Sequence, residues 1–224
     1  MSQRTYGFLF AFFATVFAGS AALLIWYGEK SHRQAAVYGQ LAAAVQRADP
    51  APTQAGEGTP LDDYRALSEE NPDMVGWIRI DGTNIDYPVV QCADEPNYYL
   101  KHDFAGRYTD FGCPFAQANC DVQDPSDNVI LYGHNMKDGS MFSDLVRYQS
   151  RSFWETHRTI HFDTLTRRGE YEVLAVCRLP ADALAFYTFV DAADAKAFAA
   201  YVAACKERAL YDTGVNAQYG DKLL

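Results

Sequence analysis

The sequence predicts a mostly β domain with a few peripheral helices, set beyond one N-terminal membrane span. Three observations point there. An uncharged run dense in Phe, Leu, Val and Ala fills residues 6–27. From residue 75 onward, short apolar segments rich in Val, Ile and Tyr recur between turn residues. The composition, 49% hydrophobic and 14% aromatic over 224 residues, suits one folded domain of ordinary size plus extra segments.

From Tyr6 to Tyr27 no residue is charged. At ~1.5 Å per residue this run makes a helix of about 33 Å, against a hydrocarbon core of about 30 Å. Trp26 and Tyr27 stand where an aromatic belt forms, with Glu29, Lys30 and Arg33 following in water. A cleaved signal peptide competes, because Ala18, Gly19 and Ser20 are small enough for a peptidase. Against it, apolar residues resume at 21–26, where a cleavage site normally closes the run. The expectation is an uncleaved transmembrane anchor over residues 1–28. Arg4 lies on one side of it, Lys30 and Arg33 on the other, so the positive-inside rule leaves orientation open.

Residues 29–60 read as a helix and a linker. The Ala-rich 29–48 predicts a helix leaving the membrane, and Asp49 to Pro60, with three prolines and two glycines, predicts a linker. The folded domain is expected over 61–224. It opens with a short helix, Leu61 to Glu70, whose Asp62 and Asp63 suit the positive end of the helix dipole, and Asn71-Pro72 ends it. Strands are predicted at Val75–Ile80 and Asn84–Val90, around an Asp81-Gly82 turn. Others are expected at Asn128–Tyr132, Thr159–Asp163 and Glu170–Leu179. Short helices are predicted at Met141–Tyr148 and Phe153–His157. In Ala192–Leu210, the residues Ala195, Phe198, Ala199, Val202 and Cys205 recur at helical spacing, so an amphipathic helix packs there.

The formal net charge of -10 argues against a nucleic-acid partner, since phosphate binding needs a basic face. The five cysteines, Cys92, Cys113, Cys120, Cys177 and Cys205, contain no C-x-x-C pair of the zinc or redox type. Cys113 and Cys120 flank a short segment that a disulfide can bridge, and buried free thiols explain the set equally well. The histidines show no metal-ligand spacing, and neither a metal nor an organic cofactor is expected.

Chemistry is most visible in Asn128-Val129-Ile130-Leu131-Tyr132-Gly133-His134-Asn135-Met136. A buried apolar strand ends in Gly-His-Asn, which puts an imidazole on a loop at the end of a rigid element. Catalytic groups favour that position, although a lone strand-end histidine is more often structural.

The string Tyr132-Gly133-His134-Asn135-Met136-Lys137-Asp138-Gly139-Ser140-Met141-Phe142 closely resembles the histidine segment of class B sortases. Other stretches resemble the same family in the same order. They are Asn71-Pro72-Asp73-Met74-Val75-Gly76-Trp77-Ile78, Tyr87-Pro88-Val89-Val90-Gln91, the Tyr98-Tyr99-Leu100 to Gly106 segment, and Leu210-Tyr211-Asp212-Thr213-Gly214-Val215. The resemblance spans residues 61–224. It implies a sortase-type β-barrel at the Gram-positive cell surface, single-pass, with its catalytic domain outside. It also implies a cysteine transpeptidase with a Cys/His/Arg site. Such an enzyme cleaves an NPxT-type sorting motif in a surface protein and transfers the acyl group to an amine of peptidoglycan or a pilin. By this resemblance His134 is the general acid/base, Leu100 and Tyr132 line the substrate groove, and Tyr187 belongs to the loop over it.

The family's nucleophile lies in a Thr-Leu-x-Thr-Cys motif, and its arginine lies further on. Here Tyr219-Gly220-Asp221-Lys222-Leu223-Leu224 resembles the residues leading into that motif. None of the five cysteines, nor Arg178 or Arg208, matches the expected positions. The expectation is a barrel incomplete at its C-terminal end, inactive as written and a fragment of an active sortase. The alternative is a membrane-tethered, non-catalytic module that binds sorting-signal peptides.

Overall fold

The computed structural model describes residues 3–45, 61–180 and 184–224, so the linker expected at 49–60 lies outside the described residues. The chain divides into two compact units, residues 1–40 and 41–224. The first is the greater part of one helix, α1 (Gln3–Ala44). Its Thr5–Ala44 stretch is long and apolar enough to cross a membrane. Phe8, Phe10, Phe17 and Leu24 are each more than seven-tenths exposed, as the side chains of a lipid-facing helix would be. The helix expected at 29–48 continues the apolar one without a break.

The second unit opens with α2 (Asp62–Glu70), which carries Asp62 and Asp63 in its first turn and buries Tyr64 and Leu67. Asn71 ends it. The Asn71 side chain accepts the Asp73 N–H at 2.9 Å and donates to the Tyr99 hydroxyl and the Phe104 carbonyl. Strands β1 (Met74–Arg79) and β2 (Asp86–Val90) follow as an antiparallel pair, with Trp77 opposite Pro88 and Arg79 opposite Asp86. Ile80 and Ile85 close the turn between them through the Ile80 N–H and Ile85 carbonyl. The loop is therefore Asp81–Asn84 rather than two residues, with Gly82 at positive φ.

Four more strands complete a six-stranded sheet, namely β3 (Phe115–Ala116), β4 (Leu131–Tyr132), β5 (Thr159–Thr164) and β6 (Glu170–Glu172). Their order is β4-β3-β2-β1-β5-β6. Every neighbour is antiparallel except β2 and β3, which meet in parallel at Val90 and Phe115. The sheet curls as a half-barrel around Ile80, Ile85, Val89, Val90, Phe104 and Phe162, all nearly inaccessible to solvent. The remaining helices are α3 (Arg151–Thr156), α4 (Leu184–Tyr187) and α5 (Ala195–Glu207). Asp194 caps α5 by accepting the Ala197 N–H at 2.8 Å, and the helix buries Phe198 and Val202.

Three strands are shorter than the sequence predicts, β2 losing Asn84 and Ile85 at its start. Of Asn128–Tyr132, only Leu131–Tyr132 lies in the ladder, because β3 offers two partners. Asn128 pairs instead with Leu223 near the C-terminus. Of Glu170–Leu179, only the first three residues face β5; beyond them the chain turns to the segment after α5, with Cys177 opposite Ala209. The helix expected at Met141–Tyr148 is a 3₁₀ segment, Phe142–Gln149.

One charged cluster ties α2 to the β5–β6 turn. Arg168 donates to Asp163 at 2.6 Å, to the Tyr64 hydroxyl at 2.9 Å and to Asp63, while Tyr64 donates to Asp163 at 2.6 Å. Burial, reinforced by Asp163, holds the Tyr64 phenol firmly protonated.

Candidate active site

His134 follows β4 directly, after Gly133. The glycine is required by packing: a Cβ there would stand 2.5 Å from the Phe142 ring. The chain then folds back on itself. Asn135 and Met141 form an antiparallel bridge, and the Phe142 N–H donates to the His134 carbonyl at 2.9 Å. The β1–β2 turn braces this loop from outside, since Asn84 donates its side-chain amide to the Gly139 carbonyl and its N–H to the Asp144 carboxylate.

The imidazole is half-buried, and its Nε2 lies 2.8 Å from the Leu100 carbonyl oxygen. A carbonyl oxygen can only accept, so Nε2 carries a proton and, in the neutral ring, Nδ1 holds the free lone pair. That is a single defined tautomer, with one nitrogen fixed and the other able to take or give a proton. Leu100 ends a 3₁₀ segment, Tyr98–Leu100, with its side chain 40% exposed. The structure thus brings together two residues, Leu100 and His134, that the sequence singled out separately.

Tyr132 lies two residues before His134. Its hydroxyl donates to Gln117 Oε1 at 2.6 Å and its ring packs on Phe115. Burial raises the phenol's pKa, and Cys120 and Tyr187 add to the shift. Tyr187 is half-buried at the end of α4. Tyr187, but neither Tyr132 nor Leu100, lines a groove of about 750 Å³, together with Ile130, Leu131, Tyr171 and Leu223 among others.

All five cysteines are free thiols. Cys113 and Cys120, whose bridging the sequence left open, face different main-chain carbonyls, those of Pro88 and Asn128. Cys177 donates to the Cys205 carbonyl at 3.3 Å. Burial raises the pKa of Cys120, Cys177 and Cys205. A nucleophilic cysteine needs the opposite shift, because the thiolate is the reactive form. Among the described residues, no group of three or more His, Cys, Asp or Glu side chains is arranged to hold a metal ion.

Sequence reasoning missed two contributors. Tyr87, in β2, accepts the Met141 N–H at 3.1 Å. Gly112 lies against the Leu100 carbonyl. Both act across long sequence separations, and no local pattern marks them.

No protein-family model matches the chain. It is 33% identical over 183 residues to sortase B of Listeria monocytogenes, covering 82% of this chain and 73% of that protein. A Bacillus anthracis crystal structure, described as similar to sortase B, superposes with a TM-score of 0.78 at 31% identity, covering 85% of this chain and 87% of the other. A Staphylococcus aureus sortase B–substrate complex shares the fold, with a TM-score of 0.76 at 24% identity over 87% of each chain.

Proposed function

The chain belongs to the sortase B family of cysteine transpeptidases, and on that premise we propose that His134 is the general acid/base of an NPxT-type sorting reaction at the outer face of a membrane. In this reading residues 1–28 are a single-pass anchor, and residues 29–60 connect it to a sortase domain outside the membrane. A cysteine thiolate attacks the threonine carbonyl of the sorting motif. The imidazolium of His134 gives its proton to the departing amine, leaving a thioacyl enzyme. An acceptor amine of peptidoglycan or a pilin then attacks the thioester, the imidazole takes that amine's proton, and the thiolate is released. An arginine offsets the oxyanion of each tetrahedral intermediate. Leu100, Tyr132 and Tyr187 line the path of the sorting peptide.

The observation that carries the reading is the isolated parallel bridge between Leu223 and Asn128. The Val129 N–H donates to the Leu223 carbonyl at 3.0 Å, and the Leu223 N–H to the Asp127 carbonyl at 2.9 Å. His134 is six residues beyond Asn128. A strand keeping this register brings its sixth residue past Leu223 level with His134. A Thr-Leu-x-Thr-Cys segment joined to Leu224 has its cysteine at that position. Four of the five cysteines, Cys113, Cys120, Cys177 and Cys205, have thiols turned to carbonyls or raised in pKa by burial.

The test is cleavage of a fluorogenic NPxT peptide by this chain and by the chain extended through Thr-Leu-x-Thr-Cys and an arginine-bearing strand. The extended protein is expected to turn over and the 224-residue chain is not. In the extended protein, His134→Ala is expected to lose at least about two decades of rate. His102→Ala and His157→Ala are expected to stay within about tenfold, since a positioned acid/base supplies the larger factor. Each of those rings already contacts a carbonyl and stacks on an aromatic neighbour. Turnover by the 224-residue chain, lost on substituting one of its five cysteines, would overturn the placement of the nucleophile. Peptide binding without turnover by the extended protein would favour the non-catalytic module.

A further inference from the structure

We propose that Tyr87 is a positioning residue for His134, pinning through Met141 the turn that orients the imidazole; this rests on the reading of His134 as the acid/base. Met141 is the one non-glycine residue at positive φ among the described residues, with φ 56° and ψ -132°. L side chains rarely adopt that backbone, and where it persists the surroundings over-determine it. Here two restraints are visible. The Met141 side chain is 1% exposed. Its N–H donates to the Tyr87 phenol oxygen at 3.1 Å.

What Met141 fixes is the far side of the histidine loop. Its bridge to Asn135 closes the loop immediately after His134. The next residue, Phe142, donates its N–H to the His134 carbonyl and sets its ring against Gly133. Both peptide neighbours of His134 are thus held by residues whose backbone depends on Met141 keeping its strained conformation. Tyr87 supplies that hold from a rigid place, since it is 7% exposed and paired with Ile78 in the β1–β2 ladder, one pair in from its turn end. Burial pushes its phenol up to about 12. The phenol therefore stays a neutral hydroxyl throughout the physiological range, and its geometry does not vary with pH.

Loss of the phenol oxygen frees Met141 to relax toward an ordinary backbone. The His134 ring then leaves the Leu100 carbonyl, and its tautomer is no longer specified. The test uses the full chain in detergent micelles with ¹⁵N-labelled histidine, reading the His134 ring nitrogens by long-range ¹H–¹⁵N correlation. The wild-type protein is expected to show one neutral tautomer, protonated at Nε2. Tyr87→Phe is expected to lower the tautomer ratio by several-fold to about tenfold, the factor carried by one net hydrogen bond. Tyr148→Phe is the control. It removes a phenol of the same kind, buried and donating to the His157 carbonyl at 2.7 Å, and leaves the His134 signals unchanged. An unchanged His134 tautomer in a folded Tyr87→Phe protein overturns the proposal, as does an equal change in the Tyr148→Phe control. Amide hydrogen exchange on the wild-type chain decides the matter if Tyr87→Phe does not fold: a Met141 amide exchanging as fast as an exposed one overturns the proposal, and strong protection supports it. No outcome depends on turnover, so a failed catalytic role for His134 would be seen separately, in the peptide-cleavage assay.

Discussion

Gly112 lies against Leu100 so closely that a Cβ on the glycine would stand 2.9 Å from the Leu100 carbonyl oxygen, the same oxygen that receives His134 Nε2. The glycine has φ 63°, and its added Cβ would also meet the Tyr99 carbonyl at 2.6 Å. Backbone atoms cannot swing aside as a side-chain tip can. Gly112→Ala is therefore expected to displace the Tyr99–Leu100 peptide and to strain its own φ, costing about 1–3 kcal/mol of stability. In the extended enzyme it is expected to lower kcat more than KM changes, because the imidazole loses its acceptor. Denaturant unfolding and steady-state kinetics check the two halves, and a neutral Gly112→Ala would mean this contact does not fix Leu100.

The Arg168 cluster gives a second expectation, on stability alone. The guanidinium is 23% exposed, with Asp63 at 8% and Asp163 at 14%. Burial by itself disfavours the charged guanidinium, but hydrogen bonds to Asp163 and Asp63 outweigh it and hold the proton more tightly than in water. Removing the cation leaves two shielded carboxylates facing each other and the Tyr64 hydroxyl. Arg168→Met is expected to cost about 2–3 kcal/mol, toward the low end for a broken buried pair because the site keeps some solvent. Arg168→Lys is expected to recover only part, since an ammonium cannot span both carboxylates as the planar fork does. Pairing Arg168→Met with Asp63→Asn is expected to cost less than the two separate losses combined. Urea midpoints of the wild-type protein, the three single variants and the double variant measure this, and strict additivity would remove the coupling.

Parts of this architecture were legible in the sequence because they are local. The apolar, Val- and Ile-rich runs Val75–Ile80 and Asn84–Val90 on either side of Asp81-Gly82 mark β1 and β2. The helix around Phe198 and Val202 shows in its spacing. His134 stands out at the end of an apolar run. The ends of strands were less legible, because a ladder extends only as far as its partner. Asn128 has the sequence of a strand residue, yet its bridge is to Leu223, 95 residues away. The sequence predicts a short helix at Met141–Tyr148, and the helix that forms there is a 3₁₀ segment. Its departure begins with the positive φ of Met141, which only a contact from Tyr87, 54 residues earlier, makes visible.

His161 is expected to make stability depend on pH below the ordinary histidine range. Burial, and then the Arg79 guanidinium, hold its pKa below 6.5, against opposing pulls from Glu170 and Asp163. Its contacts with Asp81 at 3.5 Å and Glu170 at 3.6 Å become ion pairs only on protonation, and they do not reverse the shift. The unfolded chain therefore takes up a proton near pH 6.5 that the folded chain still refuses. Unfolded chains binding more protons means stability that rises with pH. The contribution is complete above about 6.5, the unfolded value, and is lost as pH falls from there toward the lower folded value. His161→Asn is expected to flatten the dependence in that window and to leave the slope at higher pH unchanged. Unfolding midpoints for both proteins at several pH values decide it; parallel curves would remove His161 as the source.

The edge beside Leu223 gives the last expectation. Within the six-stranded sheet, β4 and β6 each have a neighbour on one side only. The groove between their segments is lined by apolar side chains such as Ile130, Leu131, Val173 and Leu223. Leu223 already occupies its near end as a parallel partner of Asn128, and the neighbouring Lys222 holds the Asp127 carboxylate at 3.2 Å. An unpaired edge over an apolar groove is a template for another strand. Adding about 25 residues that continue this strand and return as a hairpin would pair both edges and cover the groove. Burying four further apolar side chains contributes roughly 1.5–3 kcal/mol each before chain entropy, and the entropy of ordering the hairpin offsets much of that. A net gain of several kcal/mol is expected, with a steeper denaturant slope because more surface is exposed on unfolding. The comparison is urea unfolding of the 224-residue chain and the extended chain in the same detergent. A rise in midpoint with an unchanged slope would mean the added residues act without entering the groove, and equal midpoints and slopes would mean the sheet gains nothing from a further strand beside Asn128.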